Sequence, residues 1–230
     1  MMKTKLPPFV VSFENSEEFH HLKREIWGGH CYYSELESHQ PYIIDVGAHI
    51  GLATLYFAKN YPTAQILSLE PNPLTFKILE ENIWQNRLEN RVEVRQVALS
   101  LQPGQQKFWH LATAKDWQLN AGLNEKTWKN TKLDQNTMVE TVTLASLLTR
   151  KVDLLKLDIE GSEQAVLTQA AERLKLINHL LIEFHPTADQ TLATILALLT
   201  KAGFAWSLWK NGQQIEQTQA KGLVLIQAKN

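Results

Sequence analysis

Cysteine is almost absent from this chain, because Cys31 is the only one among its 230 residues. A single cysteine excludes an intrachain disulfide, and its scarcity agrees with a reducing compartment. Long apolar runs are also missing. The start, MMKTKLPPFV, has no apolar core of signal length, and no run approaches the roughly 18 residues that a membrane span needs. We therefore expect a cytoplasmic protein that does not enter a membrane.

An excess of charge of either sign is lacking as well. The chain has 23 basic and 24 acidic residues, which gives a formal net charge of −1. It therefore has no overall positive charge for wrapping a nucleic acid, and we expect no such partner. Hydrophobic residues make up 44% of the sequence, which is enough for a sizeable core. No repeat or linker interrupts it, so we predict a single domain over residues 1–230.

The most informative stretch is residues 42–57, which read YIIDVGAHIGLATLYF. An apolar strand is followed by a turn between Gly47 and Gly51 and then by apolar residues at helical spacing. A second apolar strand, residues 66–69, ends in Glu70, nineteen residues after Gly51. An acid about 20 residues beyond a glycine turn is where nucleotide-type ligands have their ribose hydroxyls bound. The stretch predicts the first half of a nucleotide-binding βαβ unit.

The turn itself argues against a dinucleotide. It reads Gly47-Ala48-His49-Ile50-Gly51, with His49 at the place of a middle glycine. A pyrophosphate needs that glycine for close approach of the backbone. A nucleoside cofactor without phosphates fits better, and an NAD-dependent dehydrogenase is the weaker alternative.

Further along, strands and helices alternate. Pro71-Asn72-Pro73 is a strong helix start, and residues 92–99 read as the next strand. The alternation predicts an α/β fold with a doubly wound, mostly parallel sheet. Two final strands, residues 205–209 and 223–227, are predicted to be joined through Asn211-Gly212.

Two segments stand apart from this pattern. Residues 1–40 contain a predicted helix that begins at Asn15 or Ser16, and we expect them to form an N-terminal helical cap. Residues 112–136 are polar, carry Trp117 and Trp128, and show no periodicity. A loop of this length is either a substrate lid or a peripheral insertion anchored by its tryptophans, and the sequence leaves both open.

Polar residues follow five of the predicted strands. Because parallel strands place their carboxyl ends at one edge of a sheet, we expect these residues to lie together. They are Asp45 with Gly47, Glu70, Ala98 with Ser100, Asp158 with Glu160, and Glu183 with His185. Lys156 lies inside an apolar strand, so we expect it to pair with Asp158, Glu160 or a substrate group.

Five segments together resemble a known family. DVGAHIGLATLYFAK, SLEPNPLTFKILEENI, VALS, LLKLDIEGSEQAVL and LIEFHP occur in this order between residues 42 and 186. They are similar to the FkbM family of S-adenosylmethionine-dependent methyltransferases. The resemblance implies a Rossmann-like, seven-stranded methyltransferase sheet with a C-terminal antiparallel hairpin over residues 205–227. The family's usual turn reads GANIG, so His49 is a departure.

The resemblance also implies a cofactor site for S-adenosylmethionine. Glu70 would hold the ribose hydroxyls, Ala98 would lie near the adenine, and Asp158 would lie beside the sulfonium. The other residues expected around the cofactor are Asp45, Gly47, Ala48, His49 and Gly51 near its methionine end, and Pro71 and Asn72 beside its adenosine.

Transfer to a hydroxyl benefits from a general base. His185 is the first candidate because an ordinary imidazole titrates near neutrality, although a structural strand-end histidine is nearly as good an interpretation. Asp158 and Glu160 are the next candidates, and Lys156 completes the predicted catalytic group. As an alternative, Asp158, Glu183 and His185 would bind a divalent metal ion, which the spacing does not require.

The predicted function is therefore O-methyl transfer to a hydroxyl of a small molecule, sugar, glycolipid or natural product. Seven tryptophans favour a carbohydrate acceptor weakly, because aromatic faces stack on sugar rings. The alternative is a catalytically inactive S-adenosylmethionine-binding module that acts as a partner or sensor. The sequence leaves the acceptor, the regiochemistry and the oligomeric state open.

Overall fold

The fold is that of a computed structural model, which describes residues 1–29, 31–113, 121–125, 127–129 and 132–230. A large sheet forms its centre. The sheet's strands are β3 (Tyr42–Val46), β4 (Gln65–Leu69), β5 (Val92–Arg95), β9 (Val152–Leu157), β10 (Ile177–Phe184), β11 (Ala205–Lys210), β12 (Gln213–Ile215) and β13 (Val224–Lys229).

The strand order across this sheet is β12-β11-β13-β10-β9-β3-β4-β5. Pairing is parallel from β10 through β5, and antiparallel where β13 joins β10, β11 joins β13 and β12 joins β11. The order reverses between β3 and β9, so their carboxyl ends form the crevice in which open sheets bind ligands. The predicted mostly parallel, doubly wound methyltransferase sheet is confirmed, with β12 as an additional edge strand.

In the described part of the chain, six α-helices connect and cover the strands. They are α1 (Ser16–Leu22), α2 (Leu52–Asn60), α3 (Pro73–Gln85), α4 (Leu144–Leu147), α5 (Glu163–Gln169) and α6 (Leu192–Lys201). Helix α3 begins as its sequence predicts, with Pro73 in the first turn and the Asn72 side chain accepting from the Leu74 N–H at 3.0 Å. Two buried apolar clusters flank the sheet, one around α2 and α3 and the other around α5 and α6.

The predicted strand over residues 92–99 is wrong, because the chain changes sheets in its middle. Strand β5 ends at Arg95, and β6 (Val97–Leu99) belongs to a separate sheet with β7 (Gly104–His110) and β8 (Gln135–Val142). In that sheet β6 is parallel to β8, and β7 is antiparallel to β8. Val92 and Val94 alternate with polar residues, but Arg95 and Gln96 are both polar and Val97 starts a new apolar run. The alternation is therefore interrupted at the point where the chain changes sheet.

The N-terminal prediction of a helical cap also needs correction. Residues 2–13 form an antiparallel hairpin of β1 (Met2–Leu6) and β2 (Phe9–Phe13). The helical part is α1 with the π-helical segment Lys23–Gly28 that continues it. Strand β2 is fastened to helix α3, because the Asn82 side chain accepts from the Ser12 N–H at 2.7 Å and donates to its carbonyl at 3.0 Å. The hairpin depends on these long-range contacts, which local propensity does not reveal.

The C-terminal connection differs in detail from the prediction. Asn211-Gly212 turns β11 into the short strand β12, and a 3₁₀ turn over Gln217–Gln219 then leads to β13. The predicted antiparallel pairing of the last two long strands is confirmed. Among the described residues, no helix has the length and apolar character required to cross a bilayer.

Candidate active site

The glycine turn after β3 is fixed by tight packing against the end of β9. Gly47 has a positive φ of 75°, and a Cβ built on it would lie 1.9 Å from the Asp158 carbonyl oxygen. The N–H groups of Gly47 and Ala48 both donate to the Leu69 carbonyl at 2.9 Å. Only glycine provides both the conformation and the space, so the turn holds the ends of β3, β4 and β9 together.

Glu70 lies at the end of β4, as predicted, and its carboxylate organises the surrounding backbone. It accepts from the His49 N–H at 2.7 Å, from the Asn72 N–H at 2.9 Å and from the Thr75 hydroxyl at 2.9 Å. Burial raises the pKa of this carboxyl, and the nearby His49 and the backbone donors oppose that rise. Since a carboxylate has about four acceptor positions, one remains for a ligand hydroxyl.

A narrow cleft opens directly beside Glu70. Its floor contains Gly47 and His49, and Asp158 and Glu160 lie at its inner end. The remaining lining residues are Val46, Pro71, Val97, Ala98, Leu99, Phe108, Ala121, Gly122, Leu123 and Ile159. Although β6 belongs to the smaller sheet, it still places Ala98 at the cleft. An acid at one end and apolar walls above it suit a ribose and a nucleobase.

His49 has a positive φ of 53°, which histidine tolerates better than most residues do. Its Nε2 lies 3.5 Å from the Glu18 carboxylate of helix α1. Burial lowers the pKa of His49, but Glu18, Glu70 and Asp158 outweigh burial, so the net direction is upward. The departure from the family's GANIG turn thus creates a link between the cofactor turn and the N-terminal helix.

Lys156 is buried and pairs as the sequence predicts. Its Nζ lies 3.3 Å from Asp158 and 3.4 Å from Asp45, and it donates to the Gly47 carbonyl at 2.8 Å. Burial lowers the pKa of Lys156, but the two aspartates outweigh it and the net shift is upward. Lys156 is therefore a fixed cation that binds Asp158 to the glycine turn.

His185 is surrounded by acidic groups. Its Nδ1 lies 3.0 Å from Glu163, and its Nε2 lies 3.5 Å from Glu160 and 3.9 Å from Asp158. Burial lowers its pKa, but the three carboxylates prevail and raise the pKa to about 10. An imidazolium donates protons and does not accept them at neutral pH. The reason for choosing His185 as the general base, an ordinary pKa near neutrality, therefore fails.

Glu160 is a carboxyl group of raised pKa beside His185. Burial raises the pKa of Glu160 to about 8, even though His185 opposes the shift. Its φ of 57° is unusual for a residue other than glycine and places the side chain where the cleft ends. Among the described residues, its Oε2 has no hydrogen-bond partner. Glu160 is thus a buried carboxyl with an unused acceptor at the inner end of the cleft.

A second cavity of about 240 Å³ lies on the other side of the same carboxylates. Gly47, His49, Asp158 and Glu160 line both spaces, so the two meet there. The further residues around this cavity are His21, Leu22, Glu25, Ile26, Tyr32, Ala48, Leu52, Ala53, Trp128, Lys129, Lys156, Glu183, His185 and Leu223.

The predicted lid is described only in part. Trp117 lies outside the described residues, so the structure does not test that part of the hypothesis. Trp128 is described, and its ring centroid lies 5.6 Å from that of His185. This end of the segment therefore reaches the candidate site, while the choice between lid and insertion stays a hypothesis.

The three residues of the predicted metal alternative do lie together. Asp158, Glu183 and His185 each offer a ligand atom within 4.8 Å of the others. The carboxylates around His185 raise its pKa, so a metal ion at this place would have to displace the imidazolium proton. The metal site remains an untested alternative.

Most predicted cofactor residues lie around these two spaces, but three have supporting positions. Asp45 is fully buried beneath the turn, where it accepts from the Thr54 hydroxyl at 2.7 Å. Gly51 packs against Leu79, and Asn72 caps helix α3. In the described part of the chain, none of the three lines the cleft or the cavity.

Sequence reasoning missed several acidic residues of the site. Glu163 accepts from the Gln190 amide at 2.5 Å and contacts His185. Glu18 and Glu25 come from the N-terminal helical segment and lie next to the apolar residues Phe19 and Ile26. Glu18 lies on the buried helix face beside Phe19, which was a usable signal, whereas the Glu25 side chain is 38% exposed and lies 3.5 Å from His21.

The sheet order, the glycine turn and the acid at the end of β4 define a Rossmann-like methyltransferase. The model of the methyltransferase FkbM domain matches residues 45–205, which is most of the chain. The chain belongs to the FkbM methyltransferase family.

Named relatives agree with this assignment. The methyltransferase sdnD of Sordaria araneosa is 29% identical over 217 residues, which cover 80% of this chain and 81% of that protein. The 31-O-demethyl-FK506 methyltransferase FkbM of Streptomyces tacrolimicus is 28% identical over 224 residues, covering 85% of each chain.

Solved structures support the fold. The methyltransferase FkbM from Methylobacillus flagellatus KT aligns with a TM-score of 0.51 at 13% identity, covering 82% of this chain but only 44% of that one. TYW2 of M. jannaschii, solved in complex with AdoMet, aligns with a TM-score of 0.52 at 15% identity, covering 99% of this chain and 84% of that one.

Proposed function

We propose that this protein is an S-adenosylmethionine-dependent O-methyltransferase that acts on a hydroxyl of a small molecule or carbohydrate. The observation that carries the proposal is the meeting of the two spaces at Gly47, Asp158 and Glu160. One space has the walls and the acid of a nucleoside site, and the other is large enough for part of an acceptor. A reacting methyl group at their meeting point would face both.

The residues fit the cofactor chemically. Glu70 has an acceptor position left for a ribose hydroxyl, and apolar residues such as Leu99 and Phe108 flank the place of the base. Asp158 and Glu160 would attract the positive charge at the sulfonium and amino groups. When bound, the cofactor supplies a methyl group that is already activated for transfer. The AdoMet complex of TYW2, which shares the fold, supports this choice of ligand.

The chain's own task is to hold the acceptor oxygen in line with the methyl group and to receive its proton. Glu160 is the base that we propose, because its free Oε2 lies at the meeting point and His185 is held as a cation. His185 and Lys156 would keep the neighbouring carboxylates in place. The name of the Streptomyces relative, a 31-O-demethyl-FK506 methyltransferase, favours oxygen as the acceptor atom.

Label transfer tests the proposal directly. We expect the protein to move radiolabel from S-adenosyl-[methyl-³H]methionine to at least one member of a panel of hydroxylated small molecules and glycosides. The product should resist mild alkali, as an ether does and an ester does not. Failure of S-adenosylhomocysteine to bind would refute the proposal, whereas binding without transfer to any acceptor would favour an inactive binding module.

The pH dependence of kcat/KM should follow the ionisation of the Glu160 carboxyl group. Its pKa of about 8 means that the base form is scarce at pH 6 and becomes dominant above pH 8. We therefore expect kcat/KM to rise between pH 6 and pH 8 and then to stay constant up to about pH 10, where His185 loses its proton. Glu160→Gln should remove the rise and lower kcat by about a hundredfold. A mutant that keeps both the rise and the rate would exclude Glu160 as the base.

A further inference from the structure

A further cavity lies beside the space already assigned to the reaction. It is a groove of about 550 Å³ between the N-terminal helical segment and the C-terminal strands. Its lining residues are His21, Arg24, Glu25, Gly29, Cys31, Tyr32, Glu183, Trp209, Lys210, Asn211, Gly212, Leu223 and Leu225. We call it the outer groove. Its volume lies in the range of small-molecule sites, about 300–1,000 Å³.

The outer groove adjoins the reaction cavity. His21, Glu25, Tyr32, Glu183 and Leu223 line both spaces. A molecule that reaches Glu183 in the groove is therefore close to Asp158, because the ligand atoms of these two residues lie within 4.8 Å of each other.

The walls of the groove are held in place. On the C-terminal side, the Trp209 indole donates to the Ser207 hydroxyl at 2.8 Å. On the N-terminal side, the Cys31 carbonyl accepts from the Gln227 amide at 2.6 Å, which fastens that segment to β13. Such a pre-formed groove can bind a ligand without first paying for loop ordering.

The chemistry of the walls indicates a ligand class. Trp209 offers an aromatic face, and Glu25 and Glu183 offer carboxyl groups at the inner end. Tyr32 donates its hydroxyl to Glu183 and so orients that carboxyl. Carboxylate oxygens accept hydrogen bonds from neighbouring hydroxyls, while an aromatic face suits the C–H side of a saturated ring.

We propose that the outer groove is the acceptor site, and that it takes a neutral ring with neighbouring hydroxyls, which stacks on Trp209 and presents its inner hydroxyls to Glu25 and Glu183. This assignment rests on the proposed methyl transfer, and it places the acceptor between the two ends of the chain. Among the described residues of the segment 112–136, Trp128 and Lys129 line the reaction cavity.

Fluorine NMR tests the site without knowledge of the natural acceptor. The protein is labelled with 5-fluorotryptophan, saturated with S-adenosylhomocysteine and titrated with methyl β-D-glucopyranoside, methyl α-D-mannopyranoside, myo-inositol and, as the single-hydroxyl comparison, cyclohexanol. Trp209→Phe and Trp206→Phe assign the two resonances from β11. Trp206 is the matched control, because its indole donates to Thr200 and does not line the groove.

We expect at least one polyol to shift the Trp209 resonance to saturation, and cyclohexanol to shift it far less. Glu25→Gln should weaken binding of that polyol about tenfold. Glu35→Gln, at an exposed position, should leave it unchanged. A shift at Trp128 without one at Trp209, an equal response to cyclohexanol, or no response to any polyol would overturn the proposal.

The same samples separate this proposal from the proposed function. If wild-type protein does not bind S-adenosylhomocysteine in calorimetry, the methyltransferase proposal fails whatever the polyols do. If S-adenosylhomocysteine binds wild type and Trp209→Ala equally, and no polyol shifts the Trp209 resonance, only the acceptor-site proposal fails. Once an acceptor is known, Trp209→Ala should raise its KM about tenfold and leave the KM of the cofactor unchanged.

Discussion

Replacement of Glu70 by alanine should weaken binding of S-adenosylhomocysteine at least about a hundredfold, because a buried charged acceptor for the ribose is removed. The loss extends beyond the ligand. The carboxylate also holds the N–H groups of His49 and Asn72 and the hydroxyl of Thr75, so the glycine turn loses one interaction and the start of helix α3 loses two. Isothermal titration calorimetry on wild type and mutant measures the change.

Two companion variants make this result specific. Glu93→Ala removes an exposed carboxylate of β5 that pairs with Arg95 of the same strand, and it should leave binding unchanged. Glu70→Gln keeps the shape of the side chain but not its charge, and it should give an intermediate loss. Circular dichroism establishes that each variant is folded. A folded Glu70→Ala protein with wild-type affinity would contradict the placement of the ribose.

Gly47→Ala should lower the free energy of unfolding by about 3 kcal/mol or more, since it combines an unfavourable φ with a backbone collision. The added Cβ would lie 1.9 Å from the Asp158 carbonyl oxygen, and a backbone atom cannot move aside as a flexible side chain can. Relief of the collision would separate β3 from β9 at the crevice. Binding of S-adenosylhomocysteine should therefore be lost together with stability.

Gly222→Ala is the matched control for this mutation. Gly222 has a φ of 70°, close to the 75° of Gly47, but nothing lies within 4 Å of its Cβ position. Its replacement should lower stability by about 1 kcal/mol, which is the contribution of φ alone. Urea denaturation measures the free energy of unfolding of both mutants, and the difference between their losses is the contribution of the contact with Asp158. Equal losses of stability in the two mutants would show that this contact has no part in the effect.

The charge of His185 depends on all the acidic residues around it together. Asp158, Glu160 and Glu163 surround His185, and they determine its charge more strongly than burial does. Any role for His185 is then that of a fixed cation. The cofactor's positive charge would enter a cavity with more acids than bases, which favours its binding over that of an anion.

The sequence by itself determined how the strands of the large sheet alternate with helices along the chain. It also determined the glycine turn and the positions of Glu70 and Asp158 at strand ends. These features depend on neighbours in the chain: an apolar run, a glycine where φ is positive, and an acid at a strand end. It also placed Lys156 beside Asp158, because a buried lysine needs a partner and the strand alternation supplies one two residues away.

Only the tertiary structure decided which groups from distant parts of the chain share the site. The hairpin over residues 2–13, the change of sheet at residue 96 and the outer groove all depend on contacts between remote segments. The protonation state of His185 depends on Glu163, a residue that no catalytic motif marks. Charge interactions act through space, so their sum becomes known only when the chain is folded.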